Sequence, residues 1–342
     1  MTPEASSSYS PTAGLPFDDE DLESKLVWIF GSPRTGSTWL LEMLCHPLEA
    51  KRSEPLGFSW PPGWEEPVPA LAVDEFLISS HLAPHQGRVV DILGAPFPAT
   101  LNGLFGRRSS YAFSNEFADV WRPEARRLTL VRLHAIVERA RAAGLPVVDG
   151  LPVLVIKEVN GSHAADLIMS LFPRSKMIFL LRDGRDIVDS LLDANSPDGW
   201  LTRTGLGRGG FESDAERFEW VRETCRNWTA RINVCSRAYE SHDPELRTRV
   251  RYEDLLADTP ARLRDLARWI GLPSEQSRID EIVEAHSFEA VPEQRKGKGK
   301  RRRAATPGHW RESLTPDEQR LAQEIMGERL TELGYPAGTN RA

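Results

Sequence analysis

At 342 residues the chain can hold one large α/β domain or two small ones. It is 40% hydrophobic and 27% charged with a formal net charge of −7, a soluble globular composition that excludes whole-protein attraction to nucleic acid. No apolar run approaches the roughly 18 residues that a membrane-spanning helix requires.

Residues 1–24 are rich in Ser, Pro and acids and lack the basic-then-apolar order of a signal peptide, so they read as a disordered tail. Leu26–Phe30 follows as a buried strand. Gly31-Ser32-Pro33-Arg34-Thr35-Gly36 is then a glycine-bounded loop, and Gly36–Cys45 a helix. Such a loop aims backbone N–H groups and a helix N-terminus at an anion. Its spacing is that of a Walker A loop, but Ser37 stands where a nucleotide triphosphatase keeps Lys, and the cation comes earlier, at Arg34.

Residues 56–125 break the pattern. They are dense in Pro, Gly and aromatics and read as an irregular cap insertion, either an acceptor pocket or a small subdomain with its own core. Strand signals then recur ahead of helices: Val153–Ile156 before Ser162–Leu171, Lys176–Leu181 before Arg185–Leu192, a long helix from Asp214 to about Glu240, and Arg247–Tyr252 before Glu253–Ile270. Near-continuous apolar strands alternating with helices predict an α/β, P-loop-like three-layer fold around a central parallel sheet, with ligands beyond the carboxyl ends of the strands. One domain over 25–335 is expected, with residues 336–342 as a tail. Cys45, Cys225 and Cys235 lack paired spacing, which predicts buried thiols, a cytoplasmic setting and no metal site.

The first loop, Pro33-Arg34-Thr35-Gly36-Ser37-Thr38, resembles the 5′-phosphosulfate loop of the 3′-phosphoadenosine-5′-phosphosulfate (PAPS)-dependent sulfotransferases. Three further segments match that family in order. Arg182 ends a strand and Ser190 follows eight residues later, the spacing with which the family holds the nucleotide 3′-phosphate. Guanidinium forks suit phosphate oxygens, and a hydroxyl adds a donor. Val250-Arg251-Tyr252-Glu253-Asp254 resembles the family's strand–helix ahead of the nucleotide-binding tail, and the resemblance places Tyr252 and Trp39 at the adenine. Arg303-Ala-Ala-Thr-Pro-Gly308-His-Trp310-Arg311 resembles the motif that closes over the 3′-phosphate, with Ala304-Ala305 replacing its Lys-Gly pair. The basic run 295–303 reads as a solvated loop within a 291–313 segment that folds over a bound nucleotide.

The resemblance implies transfer of a sulfuryl group from PAPS to an acceptor hydroxyl, giving a sulfate ester and 3′,5′-ADP. Ser32, Pro33, Arg34, Thr35, Gly36, Ser37 and Thr38 would hold the 5′-phosphosulfate, and Lys157 would reach the bridging oxygen. The general base implied is Glu54, with Glu158 second, because Val159 stands where many members keep His. The sequence favours a small apolar, glycolipid or natural-product acceptor. An ATP-Mg phosphotransferase is the alternative, and it conflicts with Ser37. A nucleic-acid partner would need a broad basic face beside the 295–303 run.

Overall fold

The computed structural model describes residues 18–46, 49–50, 58–59, 68–74, 117–142, 144, 147–148, 150–300, 302 and 306–336. Five strands, all parallel, form the main sheet in the order β4–β5–β1–β6–β7. They are β1 (Leu26–Gly31), β4 (Ala70–Asp74), β5 (Val153–Lys157), β6 (Lys176–Leu181) and β7 (Arg247–Arg251); β2 (Glu49–Ala50) and β3 (Phe58–Ser59) pair separately as an antiparallel ribbon. Every residue of β1 and β5 is buried, as expected of central strands covered on both faces.

The helices are α1 (Asp19–Ser24), α2 (Ser37–Leu44), α3 (Ala118–Ala142), α4 (Ala165–Leu171), α5 (Gly184–Ala194), α6 (Trp200–Arg203), α7 (Asp214–Ser241), α8 (Tyr252–Ala257), α9 (Thr259–Ile270), α10 (Gln276–Ala285), α11 (Trp310–Ser313) and α12 (Pro316–Glu332). Helix α2 lies against β4, β5 and α9, while α7 packs on β1 and β6 and carries α4 and α12 behind it. The result is the three-layer α/β arrangement expected. Trp28 stacks on Phe30 and Phe172 at ring separations of 6.0 and 5.5 Å, tying β1 to the end of α4. No helix among the described residues is long and apolar enough to cross a membrane.

Several expectations need correction. The end of the supposed disordered tail is helix α1: Asp18 caps it, three acids fill its first turn, and Leu22 and Glu23 are buried. Acids there complement the helix dipole. Glu23 accepts the Arg174 N–H at 2.7 Å and pairs with Arg126 of α3, so α1 belongs to the domain. The 56–125 insertion is not wholly irregular. Its residues 70–74 are strand β4 at the sheet edge, and α3 begins within it at Ala118. The helix expected over Glu253–Ile270 is two, broken at Asp258, whose carboxylate caps Ala261 at the start of α9. Pro336, placed in the C-terminal tail, accepts from Arg185 at 2.9 Å and stays tied to α5.

Candidate functional site

The carboxyl ends of β1, β5, β6 and β7 bring Gly31, Lys157, Arg182 and Tyr252 to one end of the sheet. Between β1 and α2 the chain turns through Ser32–Gly36. Arg34 has φ 74, and among the described residues it is the non-glycine residue at positive φ; Gly36 follows at φ 84 as the cap of α2. A bulky residue held in that region stores strain that the surroundings must compensate. Ser32, Thr35 and Ser37 are buried, while Pro33, Arg34, Thr38 and Trp39 are partly exposed. The Thr35 hydroxyl is buried without a hydrogen-bond partner among the described residues.

The two anion motifs meet. Arg34 Nε donates to Ser190 Oγ on α5 at 3.0 Å, and an Arg182 terminal nitrogen donates to the Arg34 carbonyl at 2.9 Å. Arg182 stacks 4.7 Å over the Tyr252 ring, and Tyr252 meets Trp39 edge-on at 6.2 Å. The Trp39 indole N–H donates to the His286 carbonyl at 2.9 Å. Arg182 Nε is buried with no hydrogen-bond partner among the described residues. An anion would satisfy a buried donor of this kind.

Lys157 ends β5 at 2% exposure, and its Nζ donates to Thr38 Oγ1 at 3.3 Å. It therefore bridges from β5 to the first turn of α2. Glu158 is fully buried, and its carboxylate accepts the Gly161 N–H at 3.1 Å, so it caps the turn leaving β5. Ser162 accepts the Gly31 N–H at 2.9 Å and donates to the Glu158 carbonyl at 3.1 Å, stitching the two strand ends together. Glu54 and Arg303 lie outside the described residues.

The C-terminal motif docks on α5, the helix that carries Ser190. Asp186 accepts the Gly308 and Trp310 N–H groups at 2.7 and 3.3 Å. Burial pushes the Asp186 carboxyl above its ordinary range, opposed by those N–H groups and by Arg182. Trp310 is buried, with the Arg185 guanidinium 4.2 Å over its ring. The described residues of the basic run are tied to the fold by hydrogen bonds and an ion pair. Gly299 N–H donates to both oxygens of Asp193, Gly297 N–H to the Arg302 carbonyl, and Arg302 pairs with Glu42 of α2.

Ser162, Asp186 and Trp200 escaped the sequence reading. Trp200 sits 5.5 Å from the Arg34 guanidinium. Neither serine nor tryptophan lies in a motif with a spacing rule, and Asp186 reads as an ordinary first-turn acid. Among the described residues no group of His, Cys, Asp and Glu is arranged to hold a metal ion.

The fold has counterparts among solved structures. The sulfotransferase STF9 from Mycobacterium avium is 15% identical with a TM-score of 0.50, over 92% of this chain and 78% of its own. Mouse sulfotransferase SULT7A1, complexed with PAP, is 12% identical with a TM-score of 0.49, over 90% of this chain and 84% of its own. No curated protein matches the sequence significantly. A model of the sulfotransferase family matches residues 27–276, spanning both anion loops and the strand–helix that follows, and the chain belongs to that family.

Proposed function

We propose that this protein transfers the sulfuryl group of PAPS to the hydroxyl of a small acceptor, releasing a sulfate ester and 3′,5′-ADP. The observation that carries the reading is the convergence of Arg34 from the β1–α2 loop with Arg182 and Ser190 from the end of β6 and α5, far apart in sequence, at the carboxyl end of the sheet. Three features of the chain fit a nucleotide with phosphates at its 3′ and 5′ positions. Arg34 and Gly36 at positive φ turn the first loop, Arg182 Nε has no hydrogen-bond partner among the described residues, and the half-buried Trp39 lies beside them, edge-on to Tyr252.

In this reading the N–H groups of residues 34–38 and Arg34 hold the 5′-phosphosulfate, while Arg182 and Ser190 take the 3′-phosphate. Lys157 meets charge that develops on the bridging oxygen, which is the main demand of in-line transfer. The acceptor proton passes to Glu54, a choice that rests on the family resemblance. Glu158 is the weaker candidate because its carboxylate is committed to Gly161. The acceptor is a small apolar molecule, glycolipid or natural product bearing a hydroxyl, and the aromatic residues of 56–125 supply its surroundings. Buried free thiols at Cys45, Cys225 and Cys235 support a reducing, cytoplasmic setting.

The test compares thermal stabilisation by adenosine 3′,5′-bisphosphate with that by ATP and Mg²⁺, in wild type and Arg182→Ala. Ligand at 100 times its dissociation constant adds about 2.7 kcal/mol of stability. The expected result is a shift from the bisphosphate alone, lost in the variant. A shift from ATP with Mg²⁺ alone would overturn the reading in favour of phosphoryl transfer.

A further inference from the structure

One uninterrupted stretch of chain surrounds Arg34. Its carbonyl accepts from Arg182 at the end of β6, its Nε reaches Ser190 within α5, and its guanidinium lies 5.5 Å from the Trp200 ring in α6. The first two contacts belong to the anion motifs. The third comes from a four-residue helix with no motif of its own.

That short helix is held with unusual care. A Cβ on Gly199 would stand 2.1 Å from the Ala194 carbonyl oxygen, so α6 starts directly against the end of α5 and only glycine fits between them. Thr202 donates to the Ser196 carbonyl at 2.8 Å, and the Gly210 N–H returns to the Asn195 carbonyl at 2.8 Å. Arg203 donates to the Gly299 carbonyl at 2.9 Å, while the Gly299 N–H is taken by Asp193. Helix α6 is thus locked between the end of α5 and the basic loop by polar contacts, with none of its residues buried. A packed core explains none of this. What the arrangement fixes is the position of the Trp200 ring.

We propose that Trp200 is a further positioning residue of the donor site: its ring face holds the Arg34 guanidinium toward the transferring sulfuryl group, so it favours the sulfated donor over the desulfated product. This rests on the donor assignment under Proposed function. An aromatic face attracts a cation through its quadrupole and restricts the guanidinium's orientation. It also replaces water on one side of the charge, which strengthens attraction to an anion on the other. Adenosine 3′,5′-bisphosphate shares the base and both phosphates with PAPS and lacks only the sulfuryl group, so the loop's grip on the 5′-phosphate is common to both ligands. A contact made through Arg34 to that group therefore appears in the ratio of the two affinities.

The experiment measures dissociation constants for PAPS and for the bisphosphate by calorimetry, without acceptor, in wild type, Trp200→Phe and Trp200→Leu. Trp200→Leu is expected to weaken PAPS roughly fivefold while moving the bisphosphate less than about twofold, and Trp200→Phe to keep both near wild type. Equal losses for both ligands, or none, overturn the proposal. Should Trp200→Leu fail to fold, the wild-type minus Trp200→Phe emission difference is read instead. Trp200 emission that responds to PAPS but not to the bisphosphate supports the proposal, and an identical response to both overturns it. Wild type binding neither ligand refutes the donor assignment itself, and this inference with it.

Discussion

A Cβ on Gly36 would stand 2.7 Å from Cδ2 of Tyr252. Tyr252 follows the edge strand β7, so its ring reaches across the end of β6 to lie on the first anion loop. The contact explains why the loop and a residue at the start of α8 occupy one site: the ring is held between Gly36 and the Arg182 guanidinium.

Gly36→Ala combines a left-handed backbone at φ 84 with that overlap. It is expected to destabilise by about 3 kcal/mol, from strain and overpacking together, and to weaken bisphosphate binding at least about tenfold. Gly205→Ala is the control, because Gly205 has φ 74 but nothing within 4 Å; backbone strain alone amounts to about 1 kcal/mol. Denaturant unfolding of both variants checks the difference. A Gly36→Ala, Tyr252→Ala double variant should recover part of the loss, and strict additivity would refute the steric account.

Arg182→Ala should lower bisphosphate affinity by about 2 kcal/mol, roughly thirtyfold, as expected for charged hydrogen bonds. Arg182→Lys is expected to fall nearly as far, because a point charge cannot both reach the Arg34 carbonyl and cover the Tyr252 ring. Calorimetric titration decides it. Affinity within about threefold of wild type in Arg182→Lys would mean that charge alone is recognised.

The parallel sheet was legible because β1, β5 and β6 are apolar runs long enough to betray burial on both faces. Strand β4 was not. Ala70–Asp74 is short and sits in a Pro-rich neighbourhood, and only pairing with β5 makes it a strand. Helix α1 was hidden in acidic composition, although Asp18 and the three acids after it are a standard start signal. The anion loops announced themselves by spacing. Trp200 and Asp186 did not, because each acts through a contact made across the fold, with Arg34 and with the backbone of residues 308–310.

Lys157→Ala should reduce turnover about 10²- to 10³-fold, the scale of removing a donor aimed at developing negative charge. Bisphosphate affinity should stay within about threefold of wild type, since the charge that Lys157 is proposed to meet develops on the bridging oxygen only during transfer. Release of 3′,5′-ADP from PAPS in the presence of an accepted alcohol measures turnover, and calorimetry measures affinity. Parallel loss of both would assign Lys157 to ground-state binding.

Stability should fall in acid through two histidines. Burial, aided by Arg231, pushes His163 down to about 4, and burial, with His46 and Arg302 beside it, pushes His286 down to about 4. Below the ordinary value of 6.5 the unfolded chain takes up protons that the folded chain refuses. The stabilisation from neutral imidazoles is therefore complete above about pH 6.5 and lost as pH falls toward 4. Asp186 acts in the opposite sense: its raised pKa contributes stability in acid that is lost as pH rises through the folded value. Each histidine should account for about 1 kcal/mol after allowing for partial exposure. Urea midpoints between pH 7.5 and 4.5 should drop in wild type and drop less in His163→Gln and His286→Gln. If both variants follow the wild-type slope, the acid lability arises elsewhere, and the neutral His46–His286 contact at 3.1 Å is not what holds the carbonyl beneath Trp39.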